Sequence, residues 1–117
     1  MLVVEDDAQA RHVFRLALEG AGYQVTVTES GEAALERGLT ELPDLLLSDV
    51  MLPGMTGVDL ALQLRAGHPE LPVLFVSGYL HDVLDQAPFD PVSDLLAKPF
   101  TLDALLRRVA EKLGSPT

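Results

Sequence analysis

The sequence predicts an α/β fold, a parallel β-sheet with helices packed on both faces. Three observations carry this. Five short apolar runs, Leu2–Val4, Val25–Val27, Leu45–Leu47, Val73–Val76 and Leu95–Ala97, are each too short for a stable helix and lie beside turn residues or charge. The stretches between them carry apolar residues at helical spacing. The two kinds of segment alternate along the chain, as they do where helical crossovers join parallel strands.

Taken in order, the run Leu2–Val4 is the first strand, and three acids follow it, Glu5, Asp6 and Asp7. Ala8–Ala21 puts Val13, Phe14, Ala17, Leu18 and Ala21 on one helical face and ends at Gly22. After the strand Val25–Val27, the segment Gly31–Gly38 turns Ala34 and Leu35 inward, with Gly38 as its stop. The strand Leu45–Leu47 leads into SDVMLPGMTG, and the helix Val58–Ala66 carries Leu60, Ala61 and Leu64 before stopping at Gly67. Val73–Val76 is the fourth strand. The crossover behind it, GYLHDVLDQAPFDPVSD, is interrupted by Pro88 and Pro91 and predicts a short or irregular helix. Leu95–Ala97 is the fifth strand. Thr101–Leu113 closes the chain as a helix with Leu102, Leu105, Leu106, Val109 and Leu113 inward, Thr101 as cap, Asp103 in the first turn and Gly114 as stop.

Bulk properties narrow the function. The 117 residues suit one domain, 1–117, and 48% hydrophobic content supports a packed core. No cysteine is present, which excludes disulfides and thiolate metal sites. No apolar run approaches the ~20 residues that span a bilayer, so a cytoplasmic location is expected. A formal net charge of −10 argues against binding nucleic acid through phosphate contacts. The chain starts at its first strand and ends soon after its last helix, which reads as a domain boundary at each end, cut from a longer chain.

Ligands of doubly wound sheets bind outside the carboxyl ends of the strands. Those ends carry Glu5 and Asp6, Ser48 and Asp49, Ser77, and Lys98. Two unit charges about 4 Å apart repel by ~4 kcal/mol at an effective dielectric of 20, so three carboxylates need compensation. Glu5, Asp6 and Asp49 carry −3 and Lys98 returns +1. The remaining −2 matches one hard divalent cation such as Mg²⁺, with the carbonyl of Met51 as a further oxygen. Each residue also has a plain alternative. Glu5 and Asp6 would favour the following helix N-terminus, Lys98 would snorkel, and Ser77 before glycine would be a turn residue. His12, His68 and His81 are scattered and have no catalytic assignment, and Arg107 and Arg108 read as a solvated face. A carboxylate such as Asp49 can act as a nucleophile toward phosphorus, forming an acyl phosphate.

The ordered set Glu5-Asp6, Asp49, Ser77 and Lys98-Pro99 on a five-unit α/β chain resembles a response-regulator receiver domain over essentially its whole length. The resemblance implies a flavodoxin-like (βα)5 sheet in the order 2-1-3-4-5. It implies that Asp49 accepts a phosphoryl group, that Asp6 binds Mg²⁺ directly and Glu5 through water, and that Met51 gives its backbone carbonyl. Lys98 would pair with the acceptor and then with the phosphoryl group, which Ser77 would contact after transfer. Side chains at Met51 and Tyr79 would flank that group. The donor would be a phosphohistidine on a histidine kinase or histidine phosphotransfer protein. Enzymatic activity would be limited to self-phosphorylation and slow autodephosphorylation, with any kinase activity outside this chain. The SGY and DLLAKPF segments resemble receivers of hybrid sensor histidine kinases more than a free-standing regulator. Homodimers of the family form through the fourth and fifth helices. Leu95 departs from the pattern, standing three positions before the lysine where many receivers carry an aromatic residue. The competing functions are a non-phosphorylated pseudo-receiver scaffold and an aspartyl-nucleophile phosphohydrolase. Against the latter, Met51 stands where such enzymes place a second acid, and no capping domain fits in the chain.

Overall fold

The computed structural model describes residues 1–77, 89 and 94–114. Its strands are β1 (Leu2–Val4), β2 (Thr26–Thr28), β3 (Leu46–Asp49), β4 (Val73–Ser77) and β5 (Leu95–Ala97). Its helices are α1 (Ala8–Gly20), α2 (Gly31–Thr40), α3 (Gly57–Gly67) and α4 (Leu102–Leu113). All strand pairs are parallel, in the order β2-β1-β3-β4-β5. The irregular helix expected after Ser77 lies outside the described residues, as do Tyr79 and His81.

Both faces of the sheet are buried, and the pleat alternation divides the strand residues between two cores. Leu2, Val4, Leu46, Val73, Phe75 and Leu95 face Ala34, Leu60, Ala61 and Leu64 of α2 and α3. Val3, Leu47, Leu74, Val76 and Leu96 face Phe14, Leu18, Leu105 and Val109 of α1 and α4. Phe75 meets Phe89 edge-on at 4.9 Å between ring centroids, and Phe14 stacks with Phe100 at 6.0 Å.

The helix starts follow local chemistry. Asp7, Ser30, Thr56 and Thr101 each cap a helix by accepting a backbone N–H of its first turn. Asp7 is thereby committed to α1 and stands apart from the two acids before it. Gly22, at φ +98°, ends α1 with Gly22 N–H on the Glu19 carbonyl and Tyr23 N–H on that of Leu18, a Schellman closure.

Several expected boundaries and faces shift. Asp49 and Ser77 are the last residues of their strands, where the sequence placed them just beyond. In α1 the i, i+4 pair Phe14 and Leu18 reaches the sheet. Val13 stays 47% exposed, and Ala21 lies past the last turn. Leu102 is likewise 45% exposed, because it opens α4 ahead of the buried pair Leu105 and Val109. Gly38 does not stop α2, which runs on to Thr40. It is buried against α3, and a Cβ there would lie 2.7 Å from Leu64 Cδ2. The absent side chain lets the two helices approach closely.

Candidate functional site

Strand order assembles the site. β1, β3, β4 and β5 lie side by side, so their carboxyl ends carry Glu5 and Asp6, then Asp49, then Ser77, then Lys98 along one edge. Register sets the spacing. Asp49 pairs with Val76, one residue short of Ser77, and Ser77 pairs with Ala97, one residue short of Lys98. The Lys98 N–H donates to the Ser77 carbonyl at 2.9 Å, holding these two residues together through their backbones.

Carboxylate oxygens of Glu5, Asp6 and Asp49 lie within 4.8 Å of one another. Asp6 is exposed, Asp49 is partly covered and Glu5 is only 4% exposed. Lys98 Nζ sits 3.3 Å from both Asp49 oxygens. The backbone of Glu5 is held from two sides. Its N–H donates to the Thr28 carbonyl at 3.1 Å, and its own carbonyl accepts from Arg11 Nη1 at 2.8 Å. Arg11 thus ties α1 to the Glu5 backbone, and its Nη2 also lies 4.0 Å from Glu29 Oε2.

Burial pushes the Glu5 carboxyl up from its ordinary 4.5 to about 8. The hydrogen bond and charge of Asp49 add to the shift, Asp6 adds a little, and Lys98 opposes it. One ammonium is thus too little positive charge for three carboxylates. The cluster offers three hard oxygen donors in a small volume, with a net −2 once Glu5 gives up its proton, and this donor set fits a divalent cation of the Mg²⁺ or Ca²⁺ type.

The segment leaving Asp49 is rigidly anchored at its start. Val50 N–H donates to the Val76 carbonyl at 3.1 Å, and Gly57 N–H returns to the Val50 carbonyl at 2.8 Å. Ser48 Oγ donates to the Asp49 carbonyl at 2.8 Å. A Cβ on Gly57 would fall 2.1 Å from that same carbonyl oxygen, so α3 begins directly against the Asp49 backbone. Met51, two residues after Asp49, is 59% exposed.

Among the described residues singled out for chemistry, Glu5, Asp6, Asp49, Ser77 and Lys98 come to the one edge, and Met51 follows two residues after Asp49. Ser77 is buried there. His12 is exposed on α1 and His68 caps the carboxyl end of α3. The other lysine, Lys112, is ion-paired with the buried Asp94. Arg108, expected on a solvated face, is half-buried and donates to the Leu95 carbonyl at 3.0 Å, because it packs α4 onto the end of β5. Sequence reasoning missed the roles of Ser48, Arg11 and Gly57. Only Gly57 carried a signal, as a glycine at a helix start.

Comparison with known proteins agrees with this geometry. A family profile described as "Response regulator receiver domain" matches residues 1–110. The chain is 41% identical over 115 residues to the DNA-binding transcriptional regulator NtrC of Escherichia coli, covering 96% of this chain and 24% of that protein. The apo receiver domain of nitrogen regulatory protein C superposes with a TM-score of 0.79 at 36% identity, covering 98% of this chain and 94% of that one. The response regulator receiver protein CpdR of Brucella abortus is 36% identical over 97% of this chain and 95% of its own. The sensor kinase CckA of the same organism is 39% identical over 97% of this chain and 12% of its own. The chain thus spans about a quarter of the length of the NtrC relatives it matches.

Proposed function

The chain belongs to the response-regulator receiver family, and from that premise we propose that it accepts a phosphoryl group on Asp49 from a phosphohistidine of a histidine kinase or phosphotransfer protein. The observation that carries this is the position of Lys98 Nζ, 3.3 Å from both oxygens of a carboxylate that already shares its edge with Glu5 and Asp6. An ammonium so placed serves both the acceptor and the charge that arrives on it.

In the transfer, an Asp49 oxygen attacks phosphorus in line. The new O–P bond forms as the P–N bond breaks, and the electron pair leaves with the donor imidazole. Lys98 neutralises the oxygens of the moving group. Ser77 presents a hydroxyl to the transferred group. Mg²⁺ held by Glu5, Asp6, Asp49 and the Met51 carbonyl would supply the remaining positive charge when bound. The phosphoryl adds roughly two negative charges at one edge of the sheet, enough to shift the population of a second surface state.

The relatives fit three settings for such a switch, and NtrC resembles this chain over about a quarter of a DNA-binding transcriptional regulator. CckA resembles this chain over a small part of a sensor kinase, and CpdR over nearly its whole length. We propose a receiver of a hybrid histidine kinase, with a single-domain regulator as the alternative. A cytoplasmic location follows from the donor, and no helix among the described residues is long and apolar enough to cross a membrane.

Intact-mass spectrometry after incubation with acetyl phosphate and Mg²⁺ tests the proposal. A single acid-stable, base-labile phosphate that requires Asp49 and Mg²⁺ is the expected product. An unlabelled wild-type protein that also fails to bind beryllofluoride would leave a scaffold. Steady turnover of phosphomonoesters would instead identify a phosphohydrolase.

A further inference from the structure

Residues 50–57 leave Asp49, turn at Pro53-Gly54 and enter α3. Their base is closed by the Gly57 N–H on the Val50 carbonyl, 2.8 Å. Their outer arm meets a different element, the first turn of α2. There Glu32 Oε1 accepts the Met55 N–H at 3.2 Å. Gly54, at φ +77°, passes so near the same oxygen that a Cβ would lie 2.8 Å from it. Gly31, beside Glu32, leaves room for Met55, whose Cβ would be 3.0 Å from a Cβ at that position. The α2 start is itself fixed, with Ser30 Oγ accepting the Ala33 N–H at 3.1 Å.

One carboxylate therefore accepts the amide after the turn glycine and lies where a side chain on that glycine would be, from a helix that carries none of the site residues named above. We propose that Glu32 is a positioning residue for phosphoryl transfer, acting as the outer clamp of the segment that follows Asp49. Its effect is exerted through residues 51–55, the segment that joins Asp49 to the start of α3. The functional half of this proposal rests on Asp49 being the phosphoacceptor. The clamp itself does not.

A carboxylate in the first turn of a helix also has a plain role toward the helix dipole. The two roles separate experimentally. Glu32→Ala removes both. Glu32→Gln keeps an acceptor oxygen for Met55 and removes the charge. Glu36→Ala, at an exposed site on the same helix, makes the same change in net charge away from the loop. For each variant, amide hydrogen exchange at Met55 is read by NMR, and the rate of labelling by acetyl phosphate is read at saturating Mg²⁺.

Because small misplacements near a reacting group cost large factors in rate, Glu32→Ala is expected to slow labelling by roughly threefold to tenfold and to accelerate Met55 exchange about tenfold. Glu32→Gln should restore both most of the way, and Glu36→Ala should match wild type. Equal rates for Glu32→Ala and Glu36→Ala would overturn the proposal. So would a Glu32→Gln variant as slow as Glu32→Ala, since the charge alone would then matter. If wild type itself takes no phosphate, the phosphoacceptor reading fails, and unchanged Met55 exchange in Glu32→Ala would overturn the clamp separately.

Discussion

Gly57→Ala is the sharpest single test of how the fold holds the site. An alanine within a helix is favoured over glycine by about 1 kcal/mol, and Gly57 opens α3, so propensity alone predicts a gain or no change. The structure predicts a loss. The added Cβ would sit 2.1 Å from the Asp49 carbonyl oxygen and 2.9 Å from Ser48 Oγ. The first of these must open by about 1 Å to reach even a tight contact. It cannot do so by rotating a side chain, because the obstacle is backbone. That carbonyl is held by Ser48 Oγ at 2.8 Å, and Gly57 N–H is held by the Val50 carbonyl at 2.8 Å. Overpacking typically costs 1–3 kcal/mol and more where backbone must move, so a net loss of about 2 kcal/mol is expected. For a domain near 100 residues this lowers Tm by roughly 8–16 °C. Urea denaturation and a thermal melt measure it, and acetyl phosphate labelling below the transition should slow, since the displaced carbonyl belongs to Asp49. A variant as stable as wild type or more so would refute the reasoning. Gly67→Ala is the internal control. It stands at the end of the same helix with nothing within 4 Å of its Cβ, and should gain up to about 1 kcal/mol.

Other expectations follow from the same geometry. Glu5 is raised from 4.5 to about 8, so in chelator its contribution to stability is fully present below its unfolded value and is lost as pH rises through about 8. Urea melts should show that decline, and Glu5→Gln should flatten it. A cation at the cluster must displace the same proton, so apparent Mg²⁺ affinity should weaken by up to about tenfold per unit as pH falls below 8, as titration calorimetry in several buffers would show. Lys98→Ala should slow labelling at Asp49 by about 100-fold while leaving Mg²⁺ binding intact or tighter, because it removes the ammonium paired with the acceptor. Lys112→Ala removes the ammonium ion-paired with the buried Asp94 and should destabilise more than the double replacement Lys112→Met with Asp94→Leu, read by denaturant midpoints.

Much of this was legible in the sequence because the signals are local. The parallel sheet was visible in runs such as Leu45–Leu47 and Val73–Val76, apolar on both faces. The site was visible because ligands gather at strand ends, and the ends held three acids, a serine and a lysine. What escaped depends on contacts between distant segments. Gly38 looks like a helix stop until Leu64 is seen against it. Asp7 looks like one more acid in a cluster until its side chain is found on the Gln9 N–H. Arg108 reads as solvated until the Leu95 carbonyl, thirteen residues earlier, is found to accept from it. Glu32 carries no local mark at all, because its partner Met55 is 23 residues away.

Leu95 shows where a departure from the family pattern turns into a physical statement. Many receivers place an aromatic ring there that turns inward as the hydroxyl residue moves. Here Leu95 is already inward, buried with Phe75 and Phe89 on the face covered by α2 and α3, and its carbonyl is held by Arg108. A leucine in that position has no second, outward state to leave. Leu95→Ala should then behave as a core truncation, costing about 2–5 kcal/mol by the lost burial and the cavity left behind. Labelling of Asp49, measured where the variant is still folded, should stay within about threefold of wild type, since Leu95 packs in the core at the start of β5, three residues before Lys98. The opposite pattern, unchanged stability with a phosphorylated form whose amide spectrum no longer differs from the unphosphorylated one, would show that Leu95 transmits the switch after all. The burial argues for the first outcome. A side chain packed on every side couples to its neighbours through volume, and volume is lost equally from both states.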